Sequence, residues 1–147
     1  MNAKQRVAAR PSWNELAEGQ ALDPKSVGPI TRSDVVRYQG ASGDMNPIHH
    51  DEPFARAAGF EAPLVVGMYP AGVLCAWGAS RFGPENLRSL KIRFKEPVWP
   101  GDVLELHGKI ARKYEENQER KLDVELECKK RGAGVAVTAW QTFVVDR

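Results

Sequence analysis

Residues 67–82 read GMYPAGVLCAWGASRF. The run carries no charge before Arg81, and Pro70 falls where the first turn of a helix has no N–H to lose. A helix that is apolar on most sides must be buried on most sides, so this segment is expected to be the central helix of the domain. Immediately downstream the period changes from helical to two. Leu90, Ile92 and Phe94 alternate with Lys91, Arg93 and Lys95, the pattern of a half-buried strand beginning at Leu87. Pro100-Gly101-Asp102 reads as a turn, and three further strand-like runs follow, Val103–Tyr114, Arg120–Lys129 and Val135–Val145.

Upstream the signals are shorter. Gly19 and Pro24 interrupt the stretch after Trp13, leaving a first strand around Gln20–Val27. Thr31 and Asp34 approximate a capping box ahead of Val35, Val36 and Tyr38, which predicts a helix from about Arg32 to Ala41. Between the two helices, Gly43, Asn46-Pro47 and Pro53 prevent a long regular element and leave a helical turn at Glu52–Ala58. One buried helix and four or five long antiparallel strands make an α+β domain in which the sheet wraps the helix, the hot-dog architecture.

The 147 residues suit one domain, assigned to residues 12–147, with the polar first 11 residues expected to form a loose tail. With 42% hydrophobic and 27% charged residues the chain is neither disordered nor fibrous. Lys and Arg exceed Asp and Glu by 21 to 19, too small an excess to predict a nucleic-acid partner. No apolar run of membrane-spanning length occurs, and the polar N-terminus has no signal-peptide core, so a soluble protein is expected. Cys75 and Cys128 fit neither a metal site nor a disulfide framework, which predicts a cytoplasmic setting.

One segment concentrates titratable groups among turn formers. SGDMNPIHHDE, residues 42–52, holds Asp44, Asn46, His49, His50, Asp51 and Glu52. In a helix, Asp44 and His49 would lie about 140° apart around the axis, and in a strand they would lie on opposite faces. The Asn46-Pro47 break allows a turn to bring carboxylate and imidazole together, the pairing that acid/base chemistry near neutral pH requires. Taken alone, the string reads equally as a capped turn with a packed histidine. A metal site from His49, His50 and Asp51 is disfavoured because no third ligand falls at a familiar spacing. Cys75, among Val73, Leu74, Ala76 and Trp77, reads as a packed thiol, and His107 as a surface or interface residue without a partner. Gly67, just before the central helix, sits where free backbone N–H groups face an anion or a developing oxyanion, and reads equally as a plain turn glycine. Lys91, Arg93 and Lys95 on one strand face suit phosphates or solvent.

Read together, Tyr38–Phe60, YQGASGDMNPIHHDEPFARAAGF, resembles the signature of the MaoC-like, R-specific enoyl-CoA hydratases, also called hydratase 2. Pro63–Met68 resembles that family's approach to its central helix, and Arg93-Phe94, Pro97-Val98 and Pro100-Gly101-Asp102 resemble its strand and turn. The resemblance implies a hot-dog dimer hydrating trans-2-enoyl thioesters of coenzyme A or acyl carrier protein to the (R)-3-hydroxyacyl form. No cofactor or metal is implied beyond the thioester carrier. By position, Asp44 and His49 correspond to the catalytic pair, Asn46 to a residue steadying the loop, and Gly67 to the backbone donor for the thioester oxygen. Lys91 and Arg93 are the candidates for the carrier's phosphates. Val66 stands where the family often has histidine, and Cys75 where it often has serine. A hot-dog thioesterase is the competing enzyme, although the helix lacks the carboxylate many of those carry. A MaoC-like hetero-partner, with this chain as the active half, is the competing assembly.

Overall fold

The computed structural model describes residues 10–146. Its regular elements are β1 (Lys25–Val27), α1 (Arg32–Ser42), α2 (Glu52–Ala57), α3 (Met68–Phe82), β2 (Leu87–Phe94), β3 (Leu104–Glu116), β4 (Glu119–Lys130) and β5 (Val135–Val144). All strand pairings are antiparallel, in the order β1-β3-β4-β5-β2. The tail expected over residues 1–11 lies, as far as residue 9, outside the described residues.

Apolar alternation on β3, β4 and β5 aims one set of side chains at α3. Leu104, Leu106, Ile110, Leu122, Val124 and Leu126 have no exposed surface. From the other side α3 buries Pro70, Ala71, Leu74, Trp77, Gly78 and Phe82. Full burial of a Leu or Phe side chain contributes about 1.5–3 kcal/mol, so this layer is the main source of stability. The helix lies so close to the sheet that a Cβ at Gly78 would collide with Gln141 Oε1 and come within 2.6 Å of Leu126 Cδ1. Gln141, 1% exposed, donates from Nε2 to the Cys75 carbonyl at 3.0 Å and ties β5 to α3.

Two expectations are revised. The first strand shrinks from Gln20–Val27 to Lys25–Val27 plus an isolated bridge from Ala21 to Lys109, because Pro24 has no N–H to add to a ladder. On β2 the alternation marks a strand, but the face it predicts as buried is largely open. Leu90 is 45% and Phe94 53% exposed, since β2 is the sheet's edge and only part of it passes α3. Among the described residues, no helix is long and apolar enough to cross a membrane.

Candidate active site

The candidate site forms where α1 ends. The capping box is present: Asp34 N–H donates to Thr31 Oγ1 at 3.1 Å, and Asp34 Oδ2 accepts from Thr31 N–H at 2.9 Å. Gly43 closes the helix in the left-handed conformation, φ +76°, with its N–H on the Gln39 carbonyl at 2.9 Å. The chain then reverses. Asp44 Oδ1 accepts from Asn46 N–H at 3.2 Å, and Asn46 Oδ1 accepts from Ile48 N–H at 3.1 Å, starting the short turn Pro47–His49. Two successive side-chain-to-backbone turns thereby achieve what neither helix nor strand allows. His49 Nε2 stands 3.9 Å from Asp44 Oδ2.

The two groups differ in environment. The His49 side chain is 9% exposed and Asp44's is 43% exposed. His49 Nδ1 lies 2.8 Å from the Leu64 carbonyl oxygen, which only accepts, so Nδ1 carries a proton in either charge state. Nε2 is then the ring atom free to gain or lose a proton, and it faces the carboxylate. When the imidazole is neutral, both facing atoms are acceptors, and a group able to donate twice, such as water, satisfies them together.

Leu64 also leads into the next feature. Val65 N–H is anchored on the Val98 carbonyl at 2.8 Å, and shortly beyond it the chain reaches Gly67, which precedes α3. Helix geometry leaves the N–H groups of this first turn without intrahelical acceptors. Gly67 has φ −55°, and a Cβ there would meet only the Phe94 ring, at 3.7 Å, an ordinary contact. Neither backbone conformation nor the chain's own packing demands a glycine there. Gly67, Leu64, Pro70 and Phe94 line a cleft of about 230 Å³. His49 and His50 line a separate small depression with Arg32 and Pro63, so within one chain Leu64 is the bridge between the pair and the cleft.

The remaining candidates disperse. Lys91 and Arg93 lie over the Trp140 ring at 5.6 and 6.0 Å from its centre. Trp140 points away from α3, because it alternates along β5 with Gln141, whose side chain reaches the Cys75 carbonyl of α3. The structure therefore does not bring Lys91 and Arg93 to the Gly67 cleft; Lys95 lines it instead. His49, His50 and Asp51 diverge: His50 Nδ1 lies 3.2 Å from Gln39 Oε1, and Asp51 Oδ1 caps α2 by accepting from Phe54 N–H at 2.8 Å. Among the described residues, no cluster of three or more His, Cys, Asp or Glu is placed to hold a metal. Burial raises the Cys75 thiol above its ordinary range and Cys128 to about 12, which disfavours a thiolate at either. His107 pairs across the ladder with Glu127.

Gln39 was not among the residues expected from sequence. It is 3% exposed, and its Nε2 donates to the carbonyls of Asp44 and Asn46 at 2.9 and 3.3 Å. One signal was available: Gln39 is one helical turn beyond Val35, so a polar side chain occupies the buried face of α1.

Residues 14–131 match the MaoC like domain. The chain belongs to the MaoC-like family. Over 95 residues it is 35% identical to the 3-hydroxybutyryl-CoA dehydratase of Methylorubrum extorquens, covering 63% of this MaoC-like chain and 60% of that protein. Across several curated relatives it matches, the aligned part spans between 8% and 64% of their length. The (R)-hydratase from A. caviae involved in PHA biosynthesis has the same fold, with a TM-score of 0.74 at 22% identity, covering 89% of this chain and 98% of that one. So does a chain of the ChsH1–ChsH2 complex from Mycobacterium tuberculosis, TM-score 0.75 at 19% identity, covering 88% and 98%. These likenesses establish the α+β hot-dog fold of this MaoC-like domain.

Proposed function

We propose that this MaoC-like protein is a hydro-lyase that reversibly adds water to a trans-2-enoyl thioester of coenzyme A or acyl carrier protein, giving the (R)-3-hydroxyacyl thioester without a cofactor. The observation that carries the reading is the orientation of His49: Nδ1 is held by the Leu64 carbonyl, so Nε2 faces Asp44 Oδ2 across 3.9 Å. Asp44 and Nε2 hold one water between them. Asp44 takes a proton from that water as its oxygen bonds to C3, and the π electrons move through C2 toward the thioester oxygen. The N–H of Gly67 receives the charge that develops there, an arrangement worth most where it is preorganised. In the starting state the imidazole is protonated on both nitrogens, so Nε2–H supplies the proton to C2, and the proton on Asp44 then returns to Nε2 to reset the pair. Asn46 keeps the turn that presents both groups.

The active assembly is a dimer, either of two copies or with a MaoC-like partner chain. In support, Met68, Gly72, Ala76 and Ser80 form an uncharged i,i+4 stripe along α3, and β2 offers a free edge beside exposed Leu90 and Phe94. Free thiols at Cys75 and Cys128 suit a reducing cytoplasm.

The test is a panel of enoyl-CoA substrates, from crotonyl-CoA to longer and cyclic chains, followed by loss of enoyl absorbance with thiol release measured in parallel. Hydration without thiol release is expected. Thiol release without hydration would make the protein a thioesterase, and the absence of both activities would refute the reading.

A further inference from the structure

Asp44 has a positional problem that burial cannot solve. To reach a substrate its carboxylate must stay open, and 43% of the side chain is exposed. Its Oδ1 accepts one hydrogen bond, from Asn46 N–H in the same turn, so the turn and the carboxylate move together unless something outside the turn fixes them. His49 lies at the far side of the same turn and is anchored separately, on Leu64.

Gln39 spans the two ends. Its backbone carbonyl accepts the Gly43 N–H at 2.9 Å, and its side-chain Nε2 donates to Asp44 O at 2.9 Å and Asn46 O at 3.3 Å. Its Oε1 accepts from His50 Nδ1 at 3.2 Å, the residue next to His49. Both polar side-chain atoms of a residue 3% exposed are thus spent on one segment, and on both ends of it. Only an amide combines the donor and the acceptor this position uses. A carboxylate would repel the two carbonyls, and an aliphatic chain would leave them unheld. Through α1 the contact also links the turn to the core, since Val35, one turn earlier on the same face, is 2% exposed.

We infer that Gln39 is a positioning residue that sets the separation of Asp44 and His49, and so controls the chemical step rather than substrate binding. This rests on the hydratase reading of the pair. Gln39→Met keeps the length and packing of the side chain and removes every hydrogen bond that side chain makes. It is expected to lower kcat about 10- to 100-fold, the scale of small displacements of catalytic groups, while KM stays within about twofold. Native-state hydrogen exchange supplies a readout independent of turnover. The N–H groups of Ile48, His49 and His50 are bonded inside the segment, at 3.1, 3.2 and 3.0 Å, and should exchange faster in Gln39→Met. Leu122→Ala, which hollows the core under β4, controls for general destabilisation and should lower Tm while leaving kcat unchanged.

Unchanged exchange in Gln39→Met would overturn the inference. So would faster exchange with unchanged kcat, a loss confined to KM, or an equal loss of kcat in Leu122→Ala. A wild-type protein that hydrates no enoyl thioester refutes the hydratase reading, whereas the exchange measurement still decides whether Gln39 holds the segment.

Discussion

Leu74 and Leu122 have no exposed surface and are held by contact on every side, whereas Asp44 keeps 43% of its side chain in solvent and is held through hydrogen bonds from Asn46 N–H to its carboxylate and from Gln39 Nε2 to its carbonyl. The layer between α3 and the sheet draws its stability from apolar area, which is non-directional and tolerates small readjustments. The segment from Asp44 to His50 draws its geometry from individual donors and acceptors contributed by Gln39, Asn46 and Leu64. Each such bond contributes little net stability yet fixes a direction. Fold and site are therefore separable: changes in the first region should act on stability, and changes in the second on rate.

The sharpest attempt to break that separation is at the pair itself. Asp44→Asn and His49→Ala should each lower hydration about 10²- to 10⁴-fold, with the double variant little worse than either, because the two groups act on one water. Circular dichroism should show both variants folded, with Tm unchanged in Asp44→Asn and lowered in His49→Ala, which loses a buried ring and its bond to Leu64. Near wild-type hydration in Asp44→Asn would return the segment to a capped turn. The converse experiment is Leu74→Ala, which should cost about 2–5 kcal/mol of stability by cavity formation, while kcat measured well below Tm stays unchanged. Chemical denaturation and initial rates on the same preparation check both halves.

Gly67 stands between the two regions, at the start of the core helix and on the wall of the cleft. Its φ of −55° matches that of proline, so Gly67→Pro removes the N–H with little backbone cost and should lower kcat about 10²- to 10³-fold. Gly67→Ala retains the donor and its Cβ meets only the Phe94 ring, so it should lose less rate and keep its Tm. Equal losses would mean that Gly67 provides space rather than a donor. The smallest effect is expected from Lys91→Ala and Arg93→Ala. Both cations lie over Trp140, facing away from α3, so KM for a CoA thioester should be unchanged at any ionic strength. A KM that rises, most at low salt, would place the carrier's phosphates on that outer face.

What the sequence determined by itself is what depends on neighbours in the chain. The uncharged run after Gly67 marked the buried helix, alternation marked β2 to β5 to within a few residues, and Thr31 with Asp34 marked the start of α1, because period and capping are local properties. Asp44, Asn46 and His49 stood out for the same reason, as polar groups around a proline that forbids regular structure. Tertiary structure alone decided which atoms meet. That His49 Nδ1 rests on Leu64, that Gln39 reaches both ends of the turn, that Gly67 opens on Phe94, and that Lys91 and Arg93 turn to the outer face over Trp140 all depend on contacts between separate segments of the chain. Such contacts join residues on different elements, and no local pattern of residues encodes how those elements meet.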